Sequence, residues 1–290
     1  MTIKTLLVPI AGRDEDALAL DAALTIARRF GAHIEVLHVA ADPRDAVPFL
    51  GEGASGALIE QLMAAASRES GARSEKARQT FDTWRGAANI PLVEQPAGST
   101  QASVSYRQET GPEDEWIGGR GRLADLIVIA RPADANALAW TVAFEAALLE
   151  SGRPVLVMPP GSKAAQIGQG PLVVAWKSSA QSARAVAAAK PFLAAAQRVV
   201  AVAISEGTAA ATDAQNLVDY LAWHGVKAEA RLPETKGASV GALLLSEVQA
   251  LGAGLLVMGA YHHNRLRQMI FGGVTRHVVA NGTLPVLLAR

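Results

Sequence analysis

KTLLVPIAGRDEDALALDAALTIARRFGAHIEVLHV, residues Lys4 to Val39, decides the fold. The run Leu6-Leu7-Val8-Pro9-Ile10 is short and continuously apolar, as expected of a strand buried on both faces. A polar turn, Gly12-Arg13-Asp14-Glu15, leads into apolar residues at helical spacing from about Asp14 to Phe30. Gly31 supplies the left-handed stop, and His33 to Val39 is strand-like again. Strand, helix and strand in so short a span imply parallel pairing through a right-handed crossover.

The same order returns from Gly170. Leu172 to Trp176 is apolar, Ser178-Ser179 can cap a helix running to about Ala196, and Arg198 to Ile204 is the next strand. Each copy also ends alike. Leu126-Ile127-Val128-Ile129-Ala130, a helical stretch to Glu150, and Gly152-Arg153-Pro154-Val155-Leu156-Val157-Met158 correspond to Leu255-Leu256-Val257-Met258-Gly259, a helical stretch to Ala280, and Gly282-Thr283-Leu284-Pro285-Val286-Leu287-Leu288. Two domains follow, 1–160 and 168–290, joined near Pro159-Pro160-Gly161-Ser162-Lys163.

Between those ends each copy carries a second helix, a third strand and a third helix: Gly56 to Ala88, Ala102 to Thr110 and a stretch from Pro112 in the first; Asp213 to His224, Val226 to Leu232 and Ala238 to Leu251 in the second. In the long second helix of copy one, Leu58, Leu62, Ala65, Ala66, Ala77, Phe81 and Trp84 form the expected buried stripe. Gly118-Gly119-Arg120-Gly121 is expected to terminate the third helix. The fold class is α/β, two tandem doubly wound Rossmann-like domains, each with a five-stranded mostly parallel sheet. Edge strands need covering, so the fifth strands are expected near an interface between the copies, an intramolecular pseudo-dimer, with a homodimer of the whole chain left open.

Lys plus Arg balances Asp plus Glu at 27 each, so no global field draws the chain to nucleic acid or an anionic membrane. Cysteine is absent, which removes disulfides, thiolate chemistry and Cys-based metal sites. No apolar run reaches the roughly 20 residues of a spanning helix. The amino terminus enters its first strand without the pattern of a signal peptide, so a cytoplasmic location is expected.

Ligands of doubly wound sheets sit outside the carboxyl ends of the strands, where strand order reverses. That directs attention to Ala11-Gly12-Arg13 and Lys177-Ser178-Ser179 after the first strands, and to Ala130-Arg131-Pro132 and Gly259-Ala260-Tyr261-His262 after the fourth. From Gly259 the chain runs through His262, Arg265 and Arg267 to Gly272-Gly273 and Thr275. A strand-ending glycine, a basic loop and glycines opening a helix suit an anion, since free backbone N–H groups and the helix dipole favour it there. Lys177, Ser178, Gly259, His262, Arg265, Arg267, Gly272, Gly273 and Thr275 are therefore the candidate binding residues. Convergence of Lys177, Arg265 and Arg267 would make an anion pocket.

No metal site is expected: His262 and His263 point apart on an extended loop, and no His-x3-His pair lies on a helix. His33 and His38 read as satisfied core or surface residues. Asp14/Asp16 and Glu113/Glu115 fall in first helical turns, where the dipole stabilises them. Phosphate-loop, nucleophile-elbow and His-Glu-x-x-His templates are absent, and no catalytic residue is assigned.

These residues resemble the universal stress protein family in its tandem form, most strongly over Leu255 to Arg290 and Thr5 to Val39. The resemblance implies an adenine-nucleotide-hydrolase-like fold, a role in the stress response, and adenine-nucleotide binding in motif-bearing members. Those members carry Gly, two residues, Gly, nine residues, then Gly followed by Ser or Thr. Gly259 and Gly272 match the outer spacing, while His262 stands at the second glycine and Gly273 at the Ser or Thr. The aspartate that meets adenosine after strand one is replaced by Ala11-Gly12-Arg13 and Lys177-Ser178-Ser179. In copy one Thr141-Val142 takes the place of Gly272-Gly273. No cofactor is fixed by the sequence, and ATP or another adenine nucleotide is what the resemblance would admit, in the second domain. The expected function is noncatalytic binding of a small molecule or protein partner. The alternatives are a weak ATP hydrolase and a ligand-free interaction module.

Overall fold

The structure, a computed structural model of the chain, describes residues 2–45, 56–96, 98, 100–134, 138–204, 208–235, 237–260 and 273–290. The first half runs β1 (Thr5–Ile10), α1 (Asp16–Phe30), β2 (His33–Ala40), α2 (Gly56–Ala88), β3 (Ser103–Thr110), α3 (Glu113–Gly121), β4 (Leu126–Ala130), α4 (Leu138–Glu145) with a π turn over Ala146–Glu150, and β5 (Val155–Met158). The second runs β6 (Leu172–Ala175), α5 (Ala180–Ala194), β7 (Val199–Val202), α6 (Thr208–Trp223), β8 (Ala228–Arg231), α7 (Val240–Ala250), β9 (Leu255–Gly259), α8 (Gly273–Asn281) and β10 (Val286–Ala289). Local chemistry sets the helix ends. Gly31 takes φ 62°, ψ 53°, and its N–H donates to Ala27 O to close α1. Ser179 caps α5, its hydroxyl accepting from Ser182 N–H at 3.2 Å.

Ten strands form one sheet in the order β3-β2-β1-β4-β5-β10-β9-β6-β7-β8. Within each half every pairing is parallel. The halves meet where β5 and β10 pair antiparallel, with Leu156 opposite Leu287. The two five-stranded sheets thus become one continuous sheet instead of two that face each other. Leu6, Val8 and Ile10 of β1 enter a core under α1 and α2, whereas Leu7 enters a second core under α3 and α4. Alternate side chains serve opposite faces, which is why both faces are covered and the strands read as unbroken apolar runs. No helix among the described residues is long and apolar enough to cross a membrane.

One local expectation is corrected and a second is made more exact. The buried residues of α2 are Ser70, Ala77, Phe81 and Trp84, while Leu58 is 43% and Leu62 38% exposed. Ala65 is exposed and Ala66 half-buried. At 33 residues α2 is about 50 Å long, against about 26 Å for the eight-residue β2 and β3, so its amino-terminal half overshoots the sheet. The glycine run does end α3, at its last residue Gly121, although Gly118 and Gly119 lie inside the helix. A Cβ at Gly121 would lie 2.7 Å from Ser151 Cβ and 2.8 Å from Ile127 Cδ1, and one at Gly118 3.1 Å from Glu150 Cβ. These glycines let α3 lie against the π turn and β4, and that packing offsets their low helix propensity of about 1 kcal/mol each.

Candidate functional site

Strand order reverses between β1 and β4 in the first half and between β6 and β9 in the second, so each half has one cleft at the carboxyl ends of those strands. The clefts differ. That of the second half is a cavity of about 280 Å³. Its floor is the chain leaving β6 (Trp176, Lys177), β7 (Val202, Ile204) and β9 (Met258, Gly259, Ala260). Its walls are the first turns of α5 (Gln181, Ser182), α7 (Val240, Leu244) and α8 (Gly273, Val274, Thr275). Gly259 is required by close approach, because a Cβ there would stand 2.6 Å from Ser182 N. Trp176 is fixed by its backbone N–H, which donates to Val202 O at 2.8 Å, and its indole Nε1 is buried without an acceptor.

Of the sequence-derived candidates, Lys177, Gly259, Gly273 and Thr275 come together on this cavity. Thr275 is buried and Lys177 exposed. Ser178 is exposed and off the wall, and Ser179 takes the lining position beside it. His262, Arg265, Arg267 and Gly272 lie outside the described residues, and with them the convergence of Lys177 with the two arginines. Sequence reasoning missed the apolar wall: Trp176, Val202, Ile204, Val240 and Leu244. Its signal was positional, since each of these lies at the end of a strand or the start of the helix that follows.

The matching cleft of the first half has only about 30 Å³, room for about two waters. An internal anion has closed it. Asp16, 7% exposed, turns its carboxylate back on the loop after β1, where Oδ2 accepts from the N–H groups of Ala11 at 3.1 Å and Arg13 at 2.8 Å. Burial pushes its pKa up to about 6, against the lowering effect of those N–H bonds and of the Arg13 charge. Glu113, at the start of α3, lines the same space and is also raised by burial, with Arg13 and Arg73 acting in the opposite sense. Trp140, buried and stacked on Phe144 at 4.9 Å between centroids, fills the far side.

Arg131 and Ala260 occupy equivalent positions, each N–H donating at 2.8 Å to the end of its own half's fifth strand, Met158 O and Ala289 O. Ala260 lines the open cavity, whereas Arg131 does not line the closed one and reaches the other half instead. Its guanidinium is buried, Nη2 donates to Gly282 O of the other half at 3.1 Å, and Nε has no acceptor. Burial lowers its pKa. The carbonyl it meets lies just past the end of α8, where the helix dipole is negative.

His38 is a satisfied core residue, Nδ1 at 3.0 Å from Ile10 O and Nε2 at 3.0 Å from Ser74 Oγ. His33 sits 2.9 Å from both Ser103 Oγ and Ser105 Oγ. Among the described residues no three His, Asp or Glu side chains are grouped to share a metal ion.

Two doubly wound halves joined through their fifth strands, one with an open switch-point cavity and one closed, define a tandem Rossmann-like α/β protein. The chain belongs to the universal stress protein family, whose family model matches residues 2–131 and again 169–290. It is similar in fold to a universal stress protein from Archaeoglobus fulgidus DSM 4304, at a TM-score of 0.67 and 16% identity over 99% of this chain and 96% of that one. A functionally unknown protein from Pseudomonas aeruginosa PAO1 matches at a TM-score of 0.57 and 16% identity, over 99% and 92% of the two chains. The cytoplasmic domain of a prokaryotic cation chloride cotransporter matches at 0.52 and 12%, over 99% and 95%. None of the curated proteins matches. Family membership supports a role in the stress response.

Proposed function

We propose that this protein is a noncatalytic binding module that holds one small ligand in its second half, the first half serving as its closed structural counterpart. The difference in free space, about 280 Å³ against about 30 Å³ in equivalent clefts, carries the reading. Lys177 and the first turn of α8 give one side of the cavity a positive character, which suits a ligand with an anionic group. Hydrolysis of a nucleotide needs a metal held over the phosphates and an oriented water. No Asp or Glu lies on the described wall, and the sequence from Tyr261 to Gly272 contains none, which favours binding over turnover.

Native mass spectrometry of the purified chain tests this, with one small molecule per chain as the expected result. Gly273→Trp supplies the control. A Cβ at Gly273 meets nothing within 4 Å, so the backbone accepts a side chain at this lining position, and the indole is intended to occupy the cavity. Retention of the molecule by Gly273→Trp, or two molecules per chain, contradicts a single second-half site. A wild-type chain that retains nothing and binds no added small anion supports the interaction-module reading instead.

A further inference from the structure

We infer that the second-half cavity selects a small amphipathic acid, an aromatic or short aliphatic body bearing one carboxylate, over a nucleotide. The inference rests on the cavity being a binding site, as proposed above. The wall is mainly apolar: Trp176, Val202, Ile204, Val240, Leu244 and Met258 surround the space with indole, branched aliphatic and thioether groups. A body buried there gains from losing water in proportion to its apolar surface. A ribose would not. Its hydroxyls need acceptors, a part usually taken by a carboxylate in nucleotide folds, and the described wall has no carboxylate.

The hydroxyls that are present are mostly committed. Ser179 Oγ accepts from Ser182 N–H at 3.2 Å and lies 3.1 Å from Ser182 Oγ, so both serve the cap of α5. Charge sets the other requirement. Lys177 is the single charged side chain on the described wall and has no salt bridge among the described residues. It stands exposed at the mouth, above an apolar interior. Together with the amino-terminal turn of α8 at Gly273, it matches one negative charge held at the rim while the body goes inward. A free volume of about 280 Å³ lies at the lower edge of the range for drug-sized ligands, which fits a compact acid.

Isothermal titration of the full chain with 2-naphthoate, octanoate, AMP and ATP, at one ionic strength, tests the inference. The expected result is one site per chain for the two acids, at least tenfold tighter than either nucleotide. Lys177→Ala should weaken both acids about fivefold and leave 2-naphthol unchanged. Val240→Glu, at a position 38% exposed and so tolerant of substitution, should weaken the acids at least tenfold by putting a negative charge on the apolar rim. AMP or ATP binding tighter than the acids overturns the inference and leaves the binding reading intact. Absence of binding by all four overturns both.

Discussion

Asp16→Asn isolates the balance of forces that closes the first cleft. In the folded chain the carboxylate is buried, and its pKa stands at about 6 instead of 3.8. At 1.36 kcal/mol per pH unit that difference is about 3 kcal/mol. The folded state therefore holds the proton between about pH 4 and 6 while the unfolded chain has released it. With more protons bound in the folded state, stability falls as pH rises through that window and stays reduced above it. Asparagine keeps an acceptor for the N–H groups of Ala11 and Arg13 and carries no charge to desolvate. The pKa of about 6 already includes the lowering effect of those N–H bonds and of the Arg13 charge, so the net gain should be up to about 3 kcal/mol at pH 8 and near zero at pH 4. Urea unfolding of both proteins at pH 4, 6 and 8, followed by circular dichroism, measures it. His33 and His38, whose pKa values burial lowers, are common to both chains and cancel in the difference. If the variant is instead less stable than the parent at pH 8 by about 1 kcal/mol or more, the two N–H bonds outweigh burial and the carboxylate is a favourable internal ligand of the loop.

Gly121→Ala should cost about 1–3 kcal/mol in urea unfolding, because its methyl would press on Ser151 and Ile127 at under 3 Å; a neutral result would show that α3 can move away. Arg131→Met removes a buried cation that faces only carbonyls and keeps its bulk, so stability at neutral pH should stay within about 1 kcal/mol or rise; a loss above about 2 kcal/mol would make the bond to Gly282 O a main tie between the halves. Leu287→Ala, at a fully buried position paired with Leu156, should cost about 2–5 kcal/mol and make the first half more sensitive to limited proteolysis, and an unchanged proteolysis pattern would mean that β5 does not depend on β10.

Much of the frame was legible because its signals are local. Five-residue apolar runs marked β4 and β9, Gly31 marked the end of α1, and the limits of α2 follow from its periodicity alone. What stayed hidden depends on distant partners. The exposure of Leu58 and Leu62 follows from the length of the sheet beneath α2, which no residue of the helix encodes. Gly118 and Gly121 read as breakers until Glu150 and Ser151 are placed against them. At the site, glycine spacing pointed to Gly259, Gly273 and Thr275, whereas the apolar wall is assembled from β7, α7 and the end of β6, which are far apart in sequence. Asp16 does open α1, but burial, which raises its pKa, outweighs the stabilisation expected of a first-turn carboxylate, and its reach back to Ala11 appears only when the loop is closed.

The pairing of β5 with β10 also imposes an order on synthesis. β5 is complete long before Val286–Ala289 leave the ribosome, and at roughly 5–20 residues per second the nascent first half spends several seconds or more with that edge unpaired. The backbone edge of Val155–Met158 opposite β4 is paired only once β10 is in place, and until then it offers an open strand edge to any neighbour with a free edge of its own. Two nascent chains on one messenger could thus zip together through their first halves, so β10, made after β5, acts as a built-in competitor that turns an intermolecular hazard into an intramolecular seam.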